Sequence, residues 1–248
     1  MNDGDAPLVE HLIELRARLL RGVAALAVVL LCLLPFATDL YALLAEPLLR
    51  HLDEGQGIIA TNPAGAFFAP LKLVLFAALF LTMPWQLYQL WAFVAPALYA
   101  REKRLALPLL LSAVLLFYAG CAFAFFLVLP AVFGFLTSFG AGVIAVTPDA
   151  GAYLDFVLAL FLAFGLSFEL PVAMVILVLL GWVSPDQLRH ARGYAVVGIF
   201  IVAAVVTPPD VVSQLMLAIP MCLLYEIGIH AARWLVPAGA AEGAGARH

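Results

Sequence analysis

Charge is what this sequence has least of. Only 11% of its 248 residues are Asp, Glu, Lys or Arg, against about 25% in an ordinary soluble domain. Hydrophobic residues make up 66%, and mean hydropathy is +1.10. A water-soluble fold of this length cannot hide so much apolar side chain, so the composition specifies an integral membrane protein. Cysteine is also scarce. Cys32, Cys121 and Cys222 all lie inside apolar runs, and an odd count there argues for packed free thiols rather than a disulfide frame or a metal site. The opening Met1-Asn2-Asp3-Gly4-Asp5 is acidic, so no cleavable signal or transit peptide is expected and the first apolar run serves as the targeting signal.

Chemistry motifs are missing as well. There is no Gly-rich phosphate loop, no HExxH and no GxSxG, and His11, His51, His190, His230 and His248 are scattered. No metal, cofactor or catalytic residue is expected, and no nucleic acid partner. No segment is large and polar enough to form a nucleotide-binding domain outside the membrane, so any energy used comes from an ion gradient or a partner.

The apolar runs predict an all-α protein with six transmembrane helices, at about 22–38, 67–94, 106–129, 152–182, 194–207 and 211–234. Together they form one transmembrane domain over 1–236, followed by a Gly/Ala-rich tail, 237–248, that reads as disordered and cytoplasmic. Span 2 is expected to break or kink near Pro84, span 3 to stop at Pro130, and 131–150 to form an outer loop. Residues 39–65 read as a loop with short interfacial helices. Residues 184–192 read as a charged loop that starts with a helix-capping Ser184-Pro185-Asp186.

Basic residues orient the spans. Under this count Arg16, Arg18, Arg21, Arg101, Lys103, Arg104, Arg189, Arg192, Arg233 and Arg247 fall on one side, and only Arg50 and Lys72 on the other. That asymmetry places both termini and the short charged loops in the cytoplasm. Span 5 is anomalous: about 14 residues make roughly 21 Å of helix against a hydrocarbon core of about 30 Å. It suggests a thinned membrane edge, or a mismatch absorbed by neighbouring helices.

Two polar features stand out. Before span 1, Leu8, Leu12, Leu15 and Leu19 form an apolar stripe, while Glu10, Glu14, Arg18 and Arg21 mark another face, with Glu14 and Arg18 in the favourable i,i+4 order. This is a solvated helix end with membrane anchors, or a surface on which Glu14 meets a basic ligand. Glu169 lies within span 4, in Phe164-Gly165-Leu166-Ser167-Phe168-Glu169-Leu170-Pro171, where a charge costs about 2.5–3.5 kcal/mol on insertion scales. It is a functional candidate or a structural polar contact. Glu226, beside Tyr225, His230 and Arg233, reads as an anchor, and Gln214 as a donor to a neighbouring helix.

Four separated segments together resemble one family. His11-Leu12-Ile13-Glu14-Leu15-Arg16-Ala17-Arg18-Leu19 is similar to the N-terminal signature of TatC, the twin-arginine protein translocase subunit. So are Trp91-Ala92-Phe93-Val94-Ala95-Pro96-Ala97-Leu98-Tyr99 with Glu102-Lys103-Arg104, the segment around Glu169, and Thr207-Pro208-Pro209-Asp210. The likeness runs from about Pro7 to Trp234 in matching order.

The resemblance implies a non-enzymatic subunit of the bacterial cytoplasmic (inner) membrane. It implies six helices forming a cupped wall, with helices 5 and 6 short. The family recognises twin-arginine signal peptides of folded proteins and exports them with TatA-like and TatB-like single-span subunits, driven by the proton-motive force. Other copies of the chain and the lipid bilayer are further partners. By motif, Glu14 and Glu102 would receive the arginine pair, with Arg16 and Phe93 nearby. Glu169 would be the polar point of the concave face, Thr207 and Gln214 would dock partner helices, and Pro47 and Asp210 would act in the outer loops. Phe125 stands where some members have Tyr, and Arg101 and Lys103 vary the usual basic loop. The alternative is an ion-coupled secondary transporter using Glu169, but that predicts paired broken helices in an internal repeat, and one broken helix is visible. An intramembrane enzyme would need a second reactive group at the depth of Glu169, and none is evident.

Overall fold

The computed structural model describes residues 5–49, 63–99, 105–139, 149–206 and 211–235. The described residues are almost entirely helical: α1 (Asp5–Leu33), α2 (Ala37–Leu49), α3 (Pro63–Tyr99), α4 (Ala106–Phe123), α5 (Leu129–Phe139), α6 (Ala150–Phe168), α7 (Leu170–Leu179), α8 (Pro185–His190), α9 (Arg192–Val206) and α10 (Val211–Leu235). Five segments are long and apolar enough to cross a membrane, and Arg192–Val205 is a shorter apolar helix. In hydrocarbon the backbone has no water to bond, so helices that satisfy their own amides are the expected solution.

Proline shapes these helices without stopping them. At Pro35 the chain tightens into a single 3-10 turn, Leu34–Phe36, and continues helically as α2. α3 runs unbroken through Pro84, so the helix does not break there. Two residues earlier the Thr82 hydroxyl shares its proton between the Ala78 and Leu79 carbonyls at 2.8 and 3.1 Å, a back-bond within the same helix. The expected stop at Pro130 is overturned. A π turn, Ala124–Val128, joins α4 to α5, and the Leu129 amide reaches back five residues to the Ala124 carbonyl. The wider turn relieves the clash between the proline ring and the preceding turn, so helix continues to Phe139 instead of yielding to a loop at 131.

Span 4 does break where expected. Glu169 is a non-helical turn residue between α6 and α7, and Pro171 sits in the first turn of α7. The second half ends at Leu179, short of Trp182. Gly181 adopts φ 74°, and the Gly181 and Trp182 amides bond the Val178 and Leu177 carbonyls at 3.0 and 3.1 Å, a Schellman end that favours glycine. Ser184 then caps α8 reciprocally with Gln187. α9 has 15 residues and is short as expected. α10 has 25 residues and is not short; Pro220 lies inside it without ending it.

The chain divides into two compact units, each described by itself: Met1–Tyr41 with Pro70–Val114, and Ala42–Ala69 with Leu115–His248. In the first, Val74 and Ala78 of α3 are fully buried, while Leu12, Ile13, Leu19, Val28 and Leu31 of α1 are exposed. Leu12, Leu15 and Leu19 of the leucine stripe are therefore not this chain's core; they are surface for lipid or a partner.

The second unit is built around α6, whose Leu154, Val157, Leu160 and Phe164 are fully buried on one face. Rings interlock along it. Phe123 meets Phe164 and Phe168 at 5.3 and 5.7 Å, Phe125 meets Phe161 at 6.1 Å, and Phe133 meets Tyr153 and Phe156 at 5.4 and 5.9 Å. Pair positions rise along α4–α5 as they fall along α6, so the helices are antiparallel. Each pair adds about 0.5–1.5 kcal/mol beyond area burial. Two glycines permit close approach. A Cβ on Gly120 would lie 2.6 Å from the Phe164 carbonyl oxygen, and one on Gly228 would lie 3.1 Å from Pro171 Cα.

Gly120→Val forces α4 away from the α6 backbone and is expected to destabilise by about 1–3 kcal/mol. Gly198→Ala, with nothing within 4 Å of its new methyl, should be neutral or slightly stabilising. Thermal unfolding in detergent compares the two; equal effects would show that the close approach does not limit stability.

Candidate functional site

Glu14 lies on α1 one turn before Arg18, whose Nε donates to Glu14 Oε1 at 3.0 Å, with Nη2 closing on the same oxygen. The expected i,i+4 pair is formed. It leaves 38% of the Glu14 side chain exposed, and Glu14 Oε2 bonds no described residue. Arg16 is exposed but sits two positions from Glu14, so it projects from a different face of the helix. Phe93 is half-buried at the end of the Phe67–Phe93 span. Glu102, the second expected carboxylate, lies outside the described residues, as do Thr207, Asp210 and the tail 237–248. Pro47 falls in α2.

A polar tie joins α1 to α3 in the same unit, and the sequence reading missed it. Gln86 Nε2 donates to the Gly22 carbonyl at 3.0 Å. Gln86 belongs to a stripe of Thr82, Gln86, Gln89 and Phe93 at steps of four, three and four, one face of a helix. Thr82 and Gln89 are buried, and Gln89 Oε1 has no hydrogen-bond partner among the described residues. The signal was present as helical spacing of amides and a hydroxyl inside a strongly apolar run.

In the second unit, Glu169 Oε1 is buried and unpartnered among the described residues. The break at Pro171 places this carboxyl at a turn, where the Glu169 amide bonds the Leu166 carbonyl and the Ala173 amide bonds the Glu169 carbonyl. Gln214 Nε2 donates to the Phe200 carbonyl at 3.3 Å, joining α10 to α9 as a helix–helix donor. Phe125 packs edge-on against Phe126 and Phe161, so ring contact replaces any hydroxyl role.

The other end of α10 carries a second set of ties. Arg192 pairs with Glu226 at 2.6 Å, Arg233 with Asp186 at 2.8 Å, and the Tyr225 hydroxyl donates to the Leu188 carbonyl at 2.8 Å. These fix α8 and the start of α9 to α10, which makes Glu226 an anchor. Both ion pairs keep substantial exposure, so each adds only about 0–1 kcal/mol. Among the described residues no cluster of three His, Cys, Asp or Glu could hold a metal ion.

Glu169→Gln keeps the side chain's length and removes its ability to ionise. With no partner to lose among the described residues, unfolding in detergent should occur at or above the wild-type midpoint. A loss beyond about 1 kcal/mol, the scale of a typical hydrogen bond, would show that the carboxyl is a structural contact.

Comparison with known proteins bears on this arrangement of helices. The family model described as "Sec-independent protein translocase protein (TatC)" matches residues 10–220. The Azotobacter chroococcum protein of that name is 54% identical over 228 residues, covering 92% of this chain and 89% of that one. The Escherichia coli K12 protein is 52% identical over 233 residues, covering 94% and 90%. A crystal structure titled "Twin Arginine Translocase Receptor- TatC" superposes with a TM-score of 0.81 at 37% identity, covering 90% of this chain and 98% of that one. These matches do not favour the ion-coupled carrier. On these matches the chain belongs to the TatC family of Sec-independent protein translocases, as a non-enzymatic multi-pass membrane component of the Tat system.

Proposed function

We propose that this chain is the signal receptor of its translocase. It binds the twin-arginine signal peptides of folded proteins at a cytoplasmic surface containing Glu14 and Glu102, and hands them on for transport driven by the proton-motive force. The observation that carries this reading is the Glu14 carboxylate, half-exposed, with one oxygen engaged by Arg18 and the other unclaimed among the described residues. Arginine is always charged and offers a planar fork of donors matched to carboxylate, a geometry lysine lacks. The internal pair does not block a ligand. An i,i+4 pair on a helix surface contributes only about 0.3–0.5 kcal/mol, so displacing Arg18 costs a ligand little. An incoming guanidinium can therefore displace Arg18 or share the carboxylate with it.

Family membership supports the rest. Both termini and the charged loops are cytoplasmic, as the bias of basic residues requires. The six spans act as one transmembrane domain. TatA-like and TatB-like helices dock beside the short α9, near Thr207 and Gln214, and Glu169 gives the membrane-embedded wall a polar point. Pro47 and Asp210 act on the outer side. Phe93 supplies an apolar edge to the receptor surface, and Arg16 keeps it from being simply acidic, so that position selects the ligand.

Photocrosslinking from a probe at Glu102 to a signal peptide tests this reading. The crosslink should require Arg-Arg and fall away with Lys-Lys. Glu14→Ala and Glu102→Ala should each weaken binding about tenfold, the loss of one charge-assisted contact, with the protein still folded. Equal crosslinking to both peptides would sink the carboxylate mechanism.

A further inference from the structure

We infer that the hydrogen bond between Gln86 and Gly22 is a positioning clasp for the receptor surface: it sets the register of α1 against α3 and so brings Glu14 level with Phe93. This rests on the receptor reading proposed above and extends it to residues that touch no signal peptide.

The geometry is specific. Gln86 Nε2 reaches the Gly22 backbone carbonyl at 3.0 Å, and Gly22 is buried. A Cβ on residue 22 would lie 2.4 Å from Gln86 Oε1, so the amide seats itself in the space glycine leaves. A helix carbonyl already accepts from its own helix and has a second lone pair; inside a membrane, an amide from a neighbouring helix is a suitable donor for it.

The consequence follows from helix rise. α1 and α3 carry consecutive spans, Leu12–Leu44 and Phe67–Phe93, so they cross in opposite directions. Glu14 lies about 12 Å before Gly22 along α1, and Phe93 about 11 Å beyond Gln86 along α3. The clasp therefore holds Glu14 and Phe93 within about 2 Å of the same depth. α1 needs such a device, because most of its large apolar residues are exposed and packing alone gives it little register. The face of α3 that carries the clasp also carries Thr82 and Gln89, both buried.

The test uses the full chain in detergent and two synthetic signal peptides, one with Arg-Arg and one with Lys-Lys. Gly22→Ala is the soft lesion, because its methyl displaces the far end of a flexible side chain rather than backbone. Gln86→Ala removes the donor. Each should weaken Arg-Arg binding about threefold, the scale of one interhelical hydrogen bond in a membrane. Lys-Lys binding should be unchanged, the melting midpoint should fall by no more than the loss of one such bond, and the double variant should be no worse than either single. If wild type prefers Arg-Arg and Glu14→Ala loses that preference, but Gly22→Ala and Gln86→Ala retain it, the clasp is overturned and the receptor reading stands. Additive losses in the double variant, or equal losses for both peptides, also overturn the clasp. If wild type and Glu14→Ala bind both peptides alike, the receptor reading fails and the clasp fails with it.

Discussion

A backbone amide or carbonyl inside hydrocarbon has no water to turn to, and an unsatisfied one costs several kcal/mol. That constraint governs how this chain uses proline. Pro35, Pro84, Pro130 and Pro171 all fall in or beside apolar helices, and each is accommodated locally. Pro35 sits in a 3-10 turn, and Pro130 follows a π turn that shifts the hydrogen-bond register by one residue. Pro84 is preceded by a threonine hydroxyl bonded to two carbonyls. Pro171 takes the first turn of a new helix, where its missing N–H leaves no bond unmade. Of these four, only Pro171 coincides with an ionisable residue, Glu169, and only there does the helix stop.

The same constraint shifts the burden of packing. Lipid tails are as apolar as leucine, so burying leucine between membrane helices gains little, and shape complementarity with interhelical hydrogen bonds must hold them. The second unit obtains this from interlocked rings along α6 and from Gly120 and Gly228, which let helices approach to backbone contact. The first unit depends more on a directional bond, the Gln86 amide on the Gly22 carbonyl. A helix held mainly by such a bond keeps its register and leaves its lateral surface available to other molecules.

Much of this was legible in the residues. The apolar runs marked an all-helical membrane chain, because a bilayer-length run without charge has few other uses. Glu169-Leu170-Pro171 marked the break in span 4, and Ser184-Pro185-Asp186 marked the start of α8. Pro130 misled, because a proline reads the same whether it ends a helix or follows a π turn; the difference lies in the register of residues 124–129 and in the rings packed beside them. α10 was expected to be short on family resemblance, yet its run of apolar residues extends through Pro220 to Leu235. Glu14 and its pairing with Arg18 were readable from spacing alone. The Gln86 clasp was not, since its partner is a backbone carbonyl 64 positions away, and a backbone group leaves no mark in a sequence.

In the proposed receptor, the strength of the Glu14–Arg18 pair would suit a site that must discriminate and then release. A carboxylate buried without a partner would pay a large desolvation penalty, while one locked in a rigid buried pair would be unavailable. Glu14 lies between these limits: it is held in orientation by a neighbour one turn away, yet retains 38% of its side-chain exposure. Under that proposal, ligand binding would exchange one guanidinium for another, or add a second, so the charge would never be stranded. Discrimination comes from geometry, because a lysine ammonium can supply the charge but not the planar fork. Such an exchange is selective only if the carboxylate's depth is fixed, which requires a register constraint on an otherwise loosely packed helix.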